Sequence, residues 1–199
     1  MPATGPRAPC EGRACTQAGG RRRVVHGARP AGSRQPMLSE MDVRGLRRAI
    51  ALAHAARVAG ELPFGALIAR ADGSVLAEAT STELSTHDWT CHAETNAVRR
   101  AAPLHPRAKL AAATIFASAE PCAMCAAAIY YAGIRRVVYG FPEPRLRALL
   151  GTLPAAAGLG ISCRRVFAAA PAPLQVIGPV LEEEAALPHQ GYWTARGCG

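Results

Sequence analysis

The sequence predicts a layered α/β domain, and three observations predict it. Short apolar runs of strand length alternate with segments of helical spacing, Gly, Pro and Asp punctuate the joints, and 199 residues suffice for one domain with a full core. Ser39-Glu-Met-Asp42 reads as a capping box, after which Val43, Leu46, Ala49, Ile50 and Ala53 keep helical spacing up to a stop at Gly60. From Pro63 the pattern shortens to FGALIAR and SVLAEAT, separated by ADG, a hairpin signal.

Residues 91 to 102 return to helical spacing and end before Pro103, and ATIFASA (113 to 119) is a compact strand. Pro121 then opens a helix that runs to Gly133, with Pro near its first position and Gly past its last turn. RRVVYG (135 to 140) is another strand, PRLRALL (144 to 150) a short helix, PLQVIG (173 to 178) a last strand and LEEEAAL a last helix, where Glu182 to Glu184 suit the helix dipole. Between 151 and 172 the signals are weak apart from a short strand at RRVFA, and the chain has no internal repeat.

Half of the residues are apolar, yet no stretch approaches the roughly 18 unbroken apolar residues of a membrane span. A soluble, cytoplasmic protein without a membrane partner is expected. Seven arginines against a single acid, Glu11, in the first 36 residues account for +6 of the net charge of +9, so most of the basic excess belongs to an extension, and nucleic acid is a possible but not favoured partner. That extension, rich in Gly, Pro and Arg, has no apolar periodicity and is expected to be disordered; a transit peptide or a start at Met37 or Met41 are the alternatives. Residues 37 to 199 form the expected folded domain. Seven cysteines, an odd number that includes one C-x-x-C, favour a reducing compartment and metal or redox use over a disulfide framework.

The chemistry concentrates in two places. His92, Glu94, Cys122 and Cys125 all fall in the first turns of two predicted helices, each after an extended segment, so that two helix starts could face one point. Cys122 and Cys125 share a helix face at a spacing of three, and the helix dipole favours their thiolate forms. With His92 they make a set of three zinc ligands that leaves a fourth position for water, as in catalytic rather than structural sites. Glu94, two residues from a ligand, is then placed to move the proton of that water. H-x-E followed by P-C-x-x-C is the signature of zinc-dependent nucleobase deaminases; here it reads HAE at 92 to 94 and PCAMC at 121 to 125.

Beyond those motifs, PFGALI (63 to 68), HAETNAVR (92 to 99), SAEPCAMCAAAIYYAGIRRVVYG (118 to 140) and GPVLEEEA (178 to 185) resemble the cytidine deaminase-like superfamily. Within it the chain is most similar to the branch of guanine deaminases, fungal-type cytosine deaminases and tRNA adenosine deaminases, over Ser39 to Trp193. The resemblance implies a three-layer α-β-α fold on a five-stranded mixed sheet, a homodimer, zinc held by His92, Cys122 and Cys125, and Glu94 as proton shuttle while zinc-bound hydroxide attacks an amino-bearing ring carbon and ammonia leaves. It also implies Phe64, Gly65 and Ala93 in the base pocket. Guanine and tRNA adenosine deaminases commonly carry an Asn eleven residues before the motif His, where this chain has Ser81, whose hydroxyl cannot present an amide's paired donor and acceptor. Tyr131 stands where free-base guanine deaminases tend to have Trp.

The expectation is therefore a deaminase of a free base or nucleoside, guanine-like first and cytosine or a base analogue second. The alternatives are a tRNA adenosine deaminase and a non-catalytic zinc-binding scaffold. A structural site closed by Cys91 is disfavoured, because helix neighbours point about 100° apart, as is a redox C-x-x-C. Asp88 and Thr90 are expected to cap the helix after them, Tyr192 and Trp193 to form either a lid or an anchor, and His54, His87, His105 and His189 have no assigned role.

Overall fold

The computed structural model describes residues 38–151 and 158–194. The extension before Met37 and the cysteines at 10, 15 and 198 lie outside the described residues. Helix α1 (Glu40–Val58) starts at the predicted capping box: Ser39 Oγ accepts the Asp42 N–H at 3.1 Å, and the Asp42 carboxylate accepts the Ser39 N–H at 3.0 Å. The hairpin follows as β1 (Gly65–Ala69) and β2 (Val75–Thr80), and a one-turn helix α2 (Glu83–Thr86), which has no apolar periodicity to announce it, leads to α3 (Ala93–Ala101). A second unannounced short helix, α4 (Arg107–Ala111), precedes β3 (Thr114–Ala119), α5 (Ala123–Ala132), β4 (Arg136–Phe141) and α6 (Glu143–Leu150). The chain ends with α7 (Cys163–Ala168), β5 (Gln175–Ile177), α8 (Glu182–Ala186) and a 3-10 turn at Leu187–His189.

Residues 164 to 168 are thus helical, against the expected short strand. Ser162 caps α7 by accepting the Arg165 N–H, and Cys163 and Phe167, four apart, bury on one helix face. A run of five residues carries too little periodicity to separate the two readings.

The strands order as β2-β1-β3-β4-β5, with β1 antiparallel to β2 and β3 and with β3, β4 and β5 parallel, the expected mixed sheet. Helices cover both faces, which is why the central strands read as unbroken apolar runs instead of alternating ones. Ala66, Ile68, Ile115 and Val137 face the side of α3 and α5; Leu67, Phe116 and Val138 face the side of α1 and α8. Gly45, inside α1, is dictated by Phe116: a Cβ there would lie 2.7 Å from the ring. No helix among the described residues is long and apolar enough to cross a membrane.

Asp42 ties α1 to β4 as well as capping its own helix. Its buried carboxylate accepts Arg136 Nη1 at 2.5 Å and Nη2 at 2.9 Å. Burial alone would raise its pKa, but the Arg136 and Ser39 bonds outweigh burial and hold it below the ordinary 3.8. The folded state therefore has the full benefit above the unfolded value and loses it as pH falls through the lowered one. Asp42→Asn is expected to cost about 1–3 kcal/mol at neutral pH and to flatten the acid side of the stability profile, read as urea midpoints over a pH series; an equal acid loss in both proteins would contradict the assignment.

Candidate metal centre and active site

Two helix starts meet on the α3–α5 side of the sheet. His92 is the extended residue that opens α3, and Cys122, directly after β3 and Pro121, opens α5; neither makes a side-chain cap bond to its own helix. The positions where Ser, Asp or Asn would be preferred as caps are held by an imidazole and a thiol that turn toward each other. His92 Nδ1 lies 3.6 Å from Cys122 Sγ and 3.5 Å from Cys125 Sγ, and the three donor atoms all fall within 4.8 Å of one another. A tetrahedral zinc with ordinary Zn–S and Zn–N bonds sets its nitrogen and sulfur ligands about 3.6 Å apart. The residues fit that ion. Thr95 Oγ1 supports Cys125 Sγ at 3.4 Å.

Glu94 lies in the first turn of α3, buried, with Oε2 3.6 Å from Cys125 Sγ. Burial, reinforced by the charge of Cys122, raises its carboxyl to about 7. The hydrogen bond with Cys125 and, against burial, that with His92 pull the Cys122 thiol down to about 4. Burial opposes charge on His92, but Cys122, Glu83 and Glu94 outweigh it and raise the ring to about 11. These shifts favour a thiolate beside a protonated ring, an arrangement in which a divalent cation can displace protons.

The cluster opens into a cavity of about 640 Å³, within the range of small-molecule sites. His92, Glu94 and Cys122 form part of its wall; Leu62, Phe64, Leu146 and Trp193 supply apolar surface, and Glu83, Glu120, Glu143 and Arg147 the other charged groups. Glu143 and Arg147, four apart on α6, pair with each other.

The zinc-binding-region model of cytidine and deoxycytidylate deaminases matches residues 39–141, more than half of the chain. The chain belongs to this family. It is a deaminase, a hydrolase acting on C–N bonds, with zinc as cofactor, and His92, Cys122 and Cys125 could hold the ion. A probable cytosine deaminase of Schizosaccharomyces pombe is 38% identical over 156 residues, which cover 78% of this chain and 94% of that protein. A guanine deaminase of Bacillus subtilis is 39% identical over 95 residues, 47% of this chain and 60% of its own length. A tRNA:A34 deaminase solved in a study of A-to-I editing superposes with a TM-score of 0.57 at 30% identity, covering 73% of this chain and 99% of its own.

Within this family frame the expected site residues divide. Phe64 lines the cavity, but Gly65, Ser81, Ala93 and Tyr131 do not. Gly65 lies where β1 crosses α1, and a Cβ would meet the Ala53 nitrogen at 2.6 Å, so the glycine serves the strand–helix approach. Ala93 packs into the core under α3. Ser81 is fully buried and gives its hydroxyl proton to Glu83 Oε1 at 3.0 Å. Tyr131 is 76% exposed, because α5 turns its Cys125–Ile129 face inward and a residue two beyond Ile129 comes out about 200° around the helix.

Thr90 caps nothing: it belongs to a turn closed by Asp88, whose carboxylate accepts the Thr90 N–H at 2.8 Å, and its hydroxyl accepts from Arg99. Asp88 likewise closes that turn rather than capping α3. Cys91 is core-facing, as expected, with Arg99 Nη1 at 3.3 Å from its sulfur. Tyr192 is an anchor, its hydroxyl donating to the Glu61 carbonyl at 2.9 Å, while Trp193 is both anchor and cavity wall. His189 is buried between Phe141 and Trp193; its Nδ1 accepts the Trp193 indole N–H at 3.3 Å, its Nε2 has no hydrogen-bond partner among the described residues, and burial lowers its pKa to about 4.

Residues that sequence reasoning passed over are Glu83, Trp89, Glu120, Glu143 and Arg147. Glu83 carried one faint signal, an acid in a short segment before the motif His. Cys122→Ala is expected to reduce zinc binding from one equivalent per chain to a weak, readily chelated fraction, measured by metal analysis after dialysis; unchanged stoichiometry and affinity would remove Cys122 from the ligand set.

Proposed function

We propose that the chain hydrolytically deaminates a free nucleobase or nucleoside, a guanine-like purine first and cytosine or a base analogue second, with His92, Cys122 and Cys125 holding zinc, Glu94 moving the proton, and the chain working as a homodimer. The observation that carries this reading is the placement of Glu94: a buried carboxyl, raised to about 7, 3.6 Å from Cys125 Sγ and open to an apolar cavity. Zinc, when bound, supplies a Lewis acid that brings the pKa of a water toward ~7.

The protein groups do the rest. Glu94, a carboxyl that burial raises toward neutrality, is placed to carry one proton of the water to a ring nitrogen and, once the new C–O bond has formed, the second from the hydroxyl on that carbon to the departing amine. Water and the amino-heterocycle become the keto-heterocycle and ammonia. Phe64 and Trp193, with ring centroids 6.3 Å apart, give the cavity an aromatic wall against which a planar base can pack, and Leu62 and Leu146 keep bulk water out.

A tRNA substrate is the second reading, favoured by the likeness to the solved tRNA:A34 deaminase. Against it, Arg147 is the only Lys or Arg among the described cavity-lining residues, and its charge is paired with Glu143, so that none of those lining residues offers an unpaired cation to a phosphate. The cytosine option is supported by the likeness to the yeast protein, which extends over 94% of that chain.

Ammonia release should be measured with guanine, cytosine, adenosine and a tRNA anticodon stem-loop as substrates of the zinc-loaded protein. Turnover of a free base and none of the stem-loop is the expected result; the reverse would establish the tRNA reading. Glu94→Ala is expected to keep zinc while turnover falls by roughly 10²–10⁴-fold, and retained activity would overturn the proton-shuttle role.

A further inference from the structure

The edge of His92 that faces away from the thiols meets a buried carboxylate. His92 Nε2 lies 3.5 Å from Glu83 Oε2, and Glu83 is only 6% exposed. Among the described residues no Lys or Arg forms an ion pair with it. Its other oxygen, Oε1, accepts the Ser81 hydroxyl at 3.0 Å.

The turn that carries Glu83 is itself pinned. The two oxygens of the buried Glu61 carboxylate accept the Leu84 N–H at 3.0 Å and the Ser85 N–H at 2.9 Å. The Thr82 N–H donates to the Cys91 carbonyl at 3.0 Å, and Asn96 Nδ2 donates to the Thr80 carbonyl, Thr82 Oγ1 and the Cys91 carbonyl at 3.0 to 3.1 Å. Glu83 and His92 therefore hang from one hydrogen-bonded frame, and their separation is set by backbone on both sides.

We propose that Glu83 is a positioning residue for His92: as the acceptor facing Nε2–H, it fixes the tautomer and rotation of the ring so that the Nδ1 lone pair points at the zinc position. This rests on the ligand assignment above. A histidine that binds a metal through one nitrogen orients through the other, and a carboxylate is a common partner for that second nitrogen. The proposal also gives Ser81 its work. The hydroxyl that replaces the relatives' Asn does not reach the cavity; it holds the carboxylate that holds the histidine.

The test is made on the full chain, with wild type, Glu83→Gln, Glu83→Ala, Ser81→Ala and His92→Ala. Zinc affinity is read by competition with a chromophoric chelator, the His92 side-chain nitrogens by 15N NMR, and folding by circular dichroism. Loss of the carboxylate is expected to weaken zinc binding roughly 10–100-fold, Glu83→Gln at the lower end because it keeps an acceptor oxygen. The slowly exchanging Nε2–H signal of the wild type should broaden or vanish in Glu83→Ala and Ser81→Ala. If Glu83→Ala does not fold, the isosteric Glu83→Gln decides. Wild-type zinc affinity and Nε2–H exchange in a folded Glu83 variant would overturn the proposal; so would unchanged zinc affinity with a raised KM for the base, which would make Glu83 a base contact. If His92→Ala binds zinc as tightly as wild type, it is the ligand assignment that fails instead.

Discussion

The meeting of two helix N-termini is the constraint on which the site depends. α3 and α5 lie side by side, and each starts with a metal-ligand type in the residue that precedes its first turn. Their positive ends converge on one point, which is a favourable place for thiolates and a carboxylate and a poor one for a cation unless anions surround it. Cys122, Cys125, Glu94 and Glu83 are those anions or their precursors. β3 ends and α5 begins across only three residues, Glu120, Pro121 and Cys122, so the position of the C-x-x-C relative to the sheet is set by a strand buried along its whole length.

Three carboxylates, buried at Glu61 and Asp42 and half-buried at Glu120, accept backbone N–H groups at helix starts. Glu61 receives the N–H groups that open α2. Glu120 does the same for two later elements: its Oε2 accepts the Glu143 N–H at 3.2 Å, where α6 starts, and its Oε1 accepts the Cys163 N–H at 3.2 Å, where α7 starts. Asp42 caps α1 and grips Arg136. A buried acid is costly unless its lone pairs are used, and here that cost is offset by fixing helix starts that would otherwise carry unsatisfied donors. Two of the elements that line the cavity, α2 and α6, thus have their first turns held by acids.

The C-terminal segment closes the same cavity by aromatic packing. Trp193 stacks on His189, His189 stacks on Phe141, and Arg57 donates to the Pro188 and Gln190 carbonyls, at 3.0 and 2.7 Å. Trp193, 68 positions beyond Cys125 (193 − 125), thus supplies part of the cavity's apolar wall.

Local information was enough for much of this. The capping box at Ser39, the hairpin, the Pro121–Gly133 helix and the three-ligand set were legible because each rests on spacing within a few residues, and the metal set further shared a helix-start context. The cavity lining was not legible in the same way. Gly65, Ser81, Ala93 and Tyr131 are near the motifs in sequence, but the α1 crossing, the burial of β1 and the rotation of α5 turn them elsewhere. Glu83, Glu120 and Trp89 look like ordinary surface residues until α2, α6 and α7 are in place. The sequence by itself determined which side chains offer ligand atoms and a carboxyl at two helix starts, because ligand chemistry and i,i+3 geometry are local; only the tertiary structure decided which side chains surround those atoms and line the cavity, because those directions follow from packing between segments far apart in the chain.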